Sequence, residues 1–390
     1  MTDPVPAVEI GPYPVATFAA GALARLPGVV RATGARAVAV VTDRGLAATP
    51  LPERAVRLLR EDGLRVAVFS DVHPNPTTDD VDAGGRFVRE RAAEAVVSLG
   101  GGSALDAAKA IALAVTNDRR ATELSWSSES SAGLVPALPI AAIPTTSGTG
   151  SECNDLGVLT DPARQRKCYL GGPTCLARQA LLDPELTLGL PPRATAAAGI
   201  DCLTHAVESF LSARPNPWAD GLDLQAVRLV AANLRRAVSA GSDLAARANL
   251  MIAAHTAGLA MRTTGLGVVH GVGHALGGRF DLPHGQALAL VLGECLRFNR
   301  EVREGRLARL AEPLGVADAR KSAGHNADAA IAAVESLVAD VELAGRLGEF
   351  GIGAEDLPDL VSDTLADGVL ANTPRPLSAD EVDGILRAVL

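Results

Sequence analysis

Aromatic side chains are scarce in this chain: Phe, Trp and Tyr make up 3% of its 390 residues, and Met occurs only 3 times. A core must therefore be assembled mainly from Ala, Val and Leu, for which the 48% hydrophobic content is sufficient. No apolar run approaches the roughly 20 residues that cross a bilayer. The Ala-rich stretch from Ala104 to Val115 carries Asp106 and Lys109, so no membrane span is expected. Cysteine pairs are missing too. Cys153, Cys168, Cys175, Cys202 and Cys295 are odd in number, scattered and without CxxC spacing, which suits reduced, buried thiols in a cytoplasmic protein. The opening MTDPVPAVEIGPYP has no basic region ahead of an apolar run, so no signal peptide is expected. Basic blocks are absent, and a formal charge of −9 with a pI near 5.4 argues against a nucleic-acid partner, which would need a basic face to displace counterions.

The length exceeds the roughly 250–300 residues at which one core stops growing, so two domains are expected. The first half alternates short β-branched runs with helical periods. Arg36–Thr42, Arg65–Phe69, Ala95–Leu99 and Pro139–Ile143 read as strands; Leu51–Asp62, Asp79–Ala93 and Ser103–Val115 read as helices. Such alternation predicts a mainly parallel sheet covered on both faces. After the Pro-rich stretch from Pro184 to Pro192 the periodicity is almost wholly helical, beginning with Ala194–Ser212, Trp218–Ala240, Leu244–Met261 and Val268–Leu276. The expected layout is an α/β, Rossmann-like nucleotide-binding domain over 1–186 and an all-α metal-binding domain over 187–390.

Three features of the first half point to a nucleotide. Gly100-Gly101-Gly102-Ser103 lies between a buried strand and a helix, where glycines allow close backbone approach and the helix start offers unpaired N–H groups to a pyrophosphate. It is neither a GxGxxG fingerprint nor a Walker loop. Thr145 to Ser151, an unbroken run of hydroxyl and glycine residues that includes Thr146 and Thr149, follows another strand at the end where doubly wound sheets bind ligands. Asp43 closes the first clear strand. A carboxylate there would accept from ribose hydroxyls and repel an extra phosphate, favouring NAD over NADP.

The second half carries ligand spacing. Asp201 and His205 stand at i and i+4 on one helical face, His270 and His274 repeat that spacing, and His284 follows Pro283. The chain has 7 histidines, so four of them in this pattern are a concentration; His255, also in the window, has no partner at helical spacing. Imidazoles with one carboxylate suit Fe(II) or Zn(II) without separating them. Five candidates exceed the three or four ligands such sites usually take, and the pattern alone does not say which one serves otherwise.

These segments resemble the iron-containing (group III) alcohol dehydrogenase family, whose architecture is shared by glycerol dehydrogenases and dehydroquinate synthases. The matching stretches are GGGSALDAAKA at 100–110, PTTSGTGSE at 144–152, the 183–209 segment ending in GIDCLTHAVES, GLGVVHGVGHALGG with LPHGQA at 265–287, PNPT at 74–77 and NTPRPLS at 372–378. The resemblance covers nearly the whole chain. It implies Asp201, His205, His270 and His284 as metal ligands and His274 as a neighbour on the substrate side, a relay for the proton. It implies cofactor contacts from Asp43, Gly101, Gly102, Ser103, Asp106, Thr145, Thr146 and Lys167. The implied activity is hydride transfer between NAD(H) and a small primary alcohol or aldehyde, with iron (or zinc) polarising the substrate oxygen and two chains forming a homodimer. A dehydroquinate synthase-like lyase is the rival within the fold. Met261, Thr263, Leu288 and Gly293 depart from the family's usual residues. If Arg262 or Arg279 faces the pocket, a carboxylated or phosphonylated substrate is the expected variant.

Overall fold

The computed structural model describes residues 8, 10–124 and 133–390, which form two compact units. One is Tyr13–Leu190; the other is Pro191–Leu390 with the described residues up to Pro12. Among the described residues, no helix is long and apolar enough to cross a membrane.

In the Tyr13–Leu190 unit the strands are β1 (Val15–Phe18), β2 (Ala37–Asp43), β3 (Arg65–Val72), β4 (Ala95–Gly100), β5 (Ile140–Pro144), β6 (Leu156–Asp161), β7 (Arg166–Gly171) and β8 (Gln179–Leu182). Six of them form a sheet in the order β1-β8-β5-β4-β2-β3, with each neighbouring pair parallel, while β6 and β7 make a separate antiparallel hairpin. Helices α1 (Leu26–Arg31), α2 (Arg44–Ala47), α3 (Leu51–Glu61), α4 (Thr78–Glu90) and α5 (Gly102–Asn117) connect them. The central strands are apolar at successive positions because both faces are covered. Val38, Val40, Val97, Leu99 and Ile143 share a core with Leu26 and Leu59, whereas Ala39, Val41, Val96 and Ala142 share one with Leu105 and Ile111. Since β3 and β4 flank β2 on opposite sides, the chain reverses its winding there. A crevice at the carboxyl ends of β2 and β4 is the place where doubly wound sheets take ligands.

In the other unit, α6 (Pro192–Leu211), α7 (Pro217–Ser239), α8 (Leu244–Thr264), α9 (Val268–Phe280), α10 (His284–Leu310), α11 (Ala323–Asp340), α12 (Leu357–Leu365) and α13 (Ala379–Ala388) pack around one large apolar core. Every residue of α6 from Gly199 to Leu211 is buried, so it runs through the middle, against α7, α8 and α10. The missing side chain of Gly285, in the first turn of α10, makes this close: a Cβ there would lie 2.2 Å from the Ala197 carbonyl oxygen. That contact presses the start of α10, and His284 with it, onto α6.

The structure differs from the sequence reading at several points. Helix α9 continues to Phe280 rather than stopping at Leu276, and α5 opens at Gly102 with extended Gly101 as its cap, one residue ahead of Ser103. Strands β1, β6, β7 and β8 were not expected. β1 is an exposed edge, β8 has four residues, and β6 alternates half-buried and buried positions, so none shows a long apolar run.

Candidate functional site

Helix α6 supplies Asp201 and His205, α9 supplies His270, and α10 opens with His284. Their ligand atoms lie within 4.8 Å of one another. Asp201 Oδ1 is 3.4 Å from His205 Nε2, 3.4 Å from His284 Nε2 and 3.8 Å from His270 Nε2. The His205 and His270 rings stack with centroids 4.7 Å apart. Asp201, His205 and His270 are buried and His284 is half-buried. Bonds of about 2.1 Å to one tetrahedral ion would set ligand atoms about 3.4 Å apart, close to these spacings. Two buried atoms make the fit specific: Asp201 Oδ1 and His270 Nε2 have no hydrogen-bond partner. Buried polar atoms without a partner are costly, and a cation between them removes that cost.

The electrostatics are those of a site holding opposite charges at close range. Burial would raise the Asp201 pKa, but His205 and His284 outweigh it and hold the carboxyl well below its ordinary range. Burial would lower the His270 pKa, but Asp201 and Glu208 raise it to about 9. His284 goes the other way, lowered chiefly by its burial.

His274, one turn beyond His270, lies outside the four-atom set. Its ring is 5.7 Å from that of His270 and 5.6 Å from that of His284. Its Nδ1 donates to Asp367 Oδ2 at 2.8 Å. Asp367 also caps the 3-10 turn Gly368–Asn372 through Val369 N. Glu208, seven residues after Asp201 on the same helix, accepts from His270 Nδ1 at 2.6 Å. Sequence reasoning missed both carboxylates. Glu208 was within reach of it, since 201, 205 and 208 share a helical face; Asp367 lies 93 residues from its partner and left no local signal. Arg279 gives its guanidinium to Asp363 and Asp359, both at 2.7 Å. Arg262 is half-buried near the end of α8.

In the Tyr13–Leu190 unit the expected cofactor residues lie at the carboxyl ends of β2, β4 and β5 and beside the 74–77 loop. Gly100 has φ 153°, and a Cβ on it would lie 2.9 Å from Asp43 Oδ2 and 2.6 Å from the Ala104 Cβ. A Cβ on Gly101 would lie 3.1 Å from Thr146 Cγ2, and one on Gly102 only 2.4 Å from Thr149 Cγ2. The amide of Thr145 donates to Gly100 O at 2.9 Å. The glycine turn and the threonine loop are therefore in contact along their length. Asp43 Oδ1 caps α2 by accepting from Leu46 N. Ser103 Oγ donates to Pro74 O, and Lys167 Nζ donates to Asn75 Oδ1 and Thr160 Oγ1, so both lie along the 74–77 loop. Asp106 accepts from Ser151 Oγ and from Val158 N, and it ties α5 to the threonine loop and to β6.

A parallel sheet with a glycine turn and a threonine loop packed together at its carboxyl edge, and a buried cluster of three imidazoles and a carboxylate, define a nucleotide-type fold joined to a helical unit with a candidate metal site. Residues 14–184 match the family described as iron-containing alcohol dehydrogenase, and residues 195–390 match its C-terminal part. The chain is 35% identical over 375 residues to alcohol dehydrogenase 4 of Schizosaccharomyces pombe, covering 96% of this chain and 87% of that protein. It is 32% identical to the NAD-dependent methanol dehydrogenase of Bacillus methanolicus, covering 97% and 98%. A crystal structure of a 1,3-propanediol oxidoreductase superimposes with a TM-score of 0.94 at 33% identity, over 99% of this chain and 100% of that one. The chain belongs to the iron-containing alcohol dehydrogenase family. It is an enzyme, an oxidoreductase of the alcohol dehydrogenase type.

Proposed function

We propose that the chain moves a hydride between NAD(H) and a small primary alcohol or aldehyde, using Fe(II) held by Asp201, His205, His270 and His284. The convergence of these four donors, with Asp201 Oδ1 and His270 Nε2 buried and unpartnered, carries the reading. A divalent cation there supplies Lewis acidity toward the substrate oxygen. The nicotinamide supplies the hydride chemistry. The chain's own contribution is to orient and to move a proton. With Nδ1 donating to Asp367, the neutral His274 ring keeps Nε2 as its basic atom, suited to take a proton from the substrate side. In this reading residues 1–186 form the cofactor domain and 187–390 the metal domain. Gly100, Gly101, Gly102, Ser103, Thr145, Thr146 and Thr149 surround the pyrophosphate, Asp43 faces the ribose, and Lys167 serves the nicotinamide end. Asp106 and Ser151 act by bracing that loop.

Neutral substrates are favoured because Arg279, one of the two arginines that could have met an anion, is neutralised by Asp363 and Asp359. We also propose a cytoplasmic homodimer. Strand β1 is a sheet edge with Val15 67% and Phe18 44% exposed, a surface that pairing with a second copy would cover; sedimentation at micromolar concentration would show a dimer. The test of the activity is metal analysis of anaerobically purified protein beside an alcohol and aldehyde panel with NAD(H) and NADP(H). The His270→Ala variant should lose metal and turnover together while NADH binding persists. Full turnover in a demonstrably metal-free sample defeats the proposal, and equal turnover of neutral and carboxylated aldehydes defeats the substrate class.

A further inference from the structure

Glu208 is buried at 4% exposure, and nothing in the proposed chemistry consumes its charge. Its two oxygens meet three donors from α9. Oε1 accepts from Val269 N at 2.7 Å, and Oε2 accepts from His270 N at 3.2 Å and His270 Nδ1 at 2.6 Å. The carboxylate thus sits on the first turn of α9, where unpaired backbone N–H groups and the helix dipole favour an anion. Gly267 makes the approach feasible, since a Cβ on it would lie 3.3 Å from Glu208 Oε1 and 3.1 Å from Thr373 Oγ1. One carboxylate therefore fixes a helix start and one ring nitrogen of His270 together. The other nitrogen, Nε2, is the buried atom without a hydrogen-bond partner, 3.8 Å from Asp201 Oδ1.

We infer that Glu208 is a positioning residue that forces the proton of neutral His270 onto Nδ1 and thereby presents Nε2 as an unprotonated ligand. The inference rests on the metal reading proposed above and goes beyond it by assigning the ligand's tautomer to a residue on another helix. An acceptor-only partner at Nδ1 leaves a neutral ring one arrangement, with its lone pair on Nε2. An amide at position 208 removes that constraint. Its oxygen can serve either Val269 N–H or the His270 donors, and its NH2 must face the other. With NH2 toward Nδ1, His270 takes the opposite tautomer and places an N–H where the cation belongs.

The experiment is equilibrium Co(II) binding by the full chain against a competing chelator, comparing wild type, Glu208→Gln and Glu208→Asp, with His270→Ala as the ligand-loss control. Co(II) gives ligand-field bands that report coordination directly. The expected result is affinity about 10–100-fold weaker for Glu208→Gln, the usual loss when a partner of a ligating histidine is changed, with altered bands. Histidine-15N spectra of the metal-free chain, recorded above about pH 9 so that the His270 ring is neutral, should move its proton from Nδ1 toward Nε2 in that variant. Should Glu208→Gln not fold, Glu208→Asp keeps the charge at the helix start but shortens the reach to Nδ1, and its affinity should fall as well. Wild-type affinity in a folded Glu208→Gln, or in Glu208→Asp where only that variant folds, overturns the inference while leaving the metal reading intact. A wild-type chain that takes up no Co(II) overturns both.

Discussion

Replacing Gly102 with Ala tests whether the glycine turn and the threonine loop form one rigid cofactor cradle. Gly102 is the first residue of α5 and does not occupy the left-handed backbone region, so its conformation is open to any side chain. Helix propensity would even favour Ala by up to about 1 kcal/mol. The obstacle is steric. The new methyl would lie 2.4 Å from Thr149 Cγ2 and 3.2 Å from both Thr149 Cβ and Oγ1. The nearest contact is far inside van der Waals distance, so one loop must yield. Forcing a methyl into a packed site costs about 1–3 kcal/mol. If that cost falls on the binding-competent arrangement of the loops, at 1.4 kcal/mol per decade it weakens NADH binding by about 5–150-fold. The second variant, Thr149→Ser, deletes Cγ2 and keeps Oγ1, which accepts from Ser151 N at 3.2 Å. The assay is NADH affinity by fluorescence titration across the four proteins of a double-mutant cycle. Gly102→Ala alone should bind weakly, Thr149→Ser alone near wild type, and the double variant should recover most of the loss. If Gly102→Ala binds NADH as wild type does, or if Thr149→Ser gives no recovery, the two segments are not coupled as described.

Two more substitutions probe the helical unit. Asp223 is wholly buried on α7, with Oδ2 accepting from Ser209 Oγ at 2.7 Å and Oδ1 unpartnered. Burial, helped by the nearby Asp220 charge, pushes its pKa well above the carboxylate range. The folded chain then holds a proton that the unfolded chain releases near pH 4, so wild-type stability falls with rising pH, by up to about 1.4 kcal/mol per unit, until the folded pKa is passed. Asp223→Asn has no such proton, and its melting temperature should exceed wild type at pH 7 and converge with it near pH 4; parallel curves would refute this. Asp367→Asn should keep the metal, which His274 does not hold, yet lower kcat about 10–100-fold with little change in KM, because the amide no longer fixes the His274 tautomer; steady-state kinetics beside metal analysis would separate this from unfolding.

The parts of the fold legible in the sequence are those that local physics dictates. Strands β2, β4 and β5 lie in the middle of a parallel sheet, buried on both faces, and so appear as largely apolar runs, with Ser98 in β4 the polar exception within a run. Strand β1 is a four-residue edge with Val15 and Phe18 exposed, and β7 begins Arg166-Lys167 on an exposed end, so neither shows a pattern distinct from a loop. At the site the same division holds. Asp201 and His205 share a helical face whatever the rest of the chain does, and the glycine turn is evident because β4 and α5 are strong neighbours. The pairing of Glu208 with His270, or Asp367 with His274, depends on where α6, α9 and the 367–373 segment come to rest. That is a tertiary fact with no sequence period.

The glycines of the 265–278 segment show how that tertiary fact is nevertheless written into the chain. Read along the sequence, GLGVVHGVGHALGG is a frame spacing two histidines by one helical turn. In the folded unit most of its glycines clear space for particular neighbours. A Cβ on Gly265 would lie 2.3 Å from Asn372 Nδ2, one on Gly271 2.7 Å from Leu370 Cδ2, and one on Gly273 2.5 Å from Leu288 Cδ2. Gly265 and Gly271 therefore admit the segment that begins at Asp367, and Gly267 admits Glu208. A side chain at Gly271 would drive Leu370 outward, and because Asp367 caps the turn that carries Leu370, the carboxylate holding His274 would move as well. Gly267, ahead of His270, and Gly271, just after it, are thus the positions whose missing side chains let Glu208 and the segment carrying Asp367 approach the two histidines.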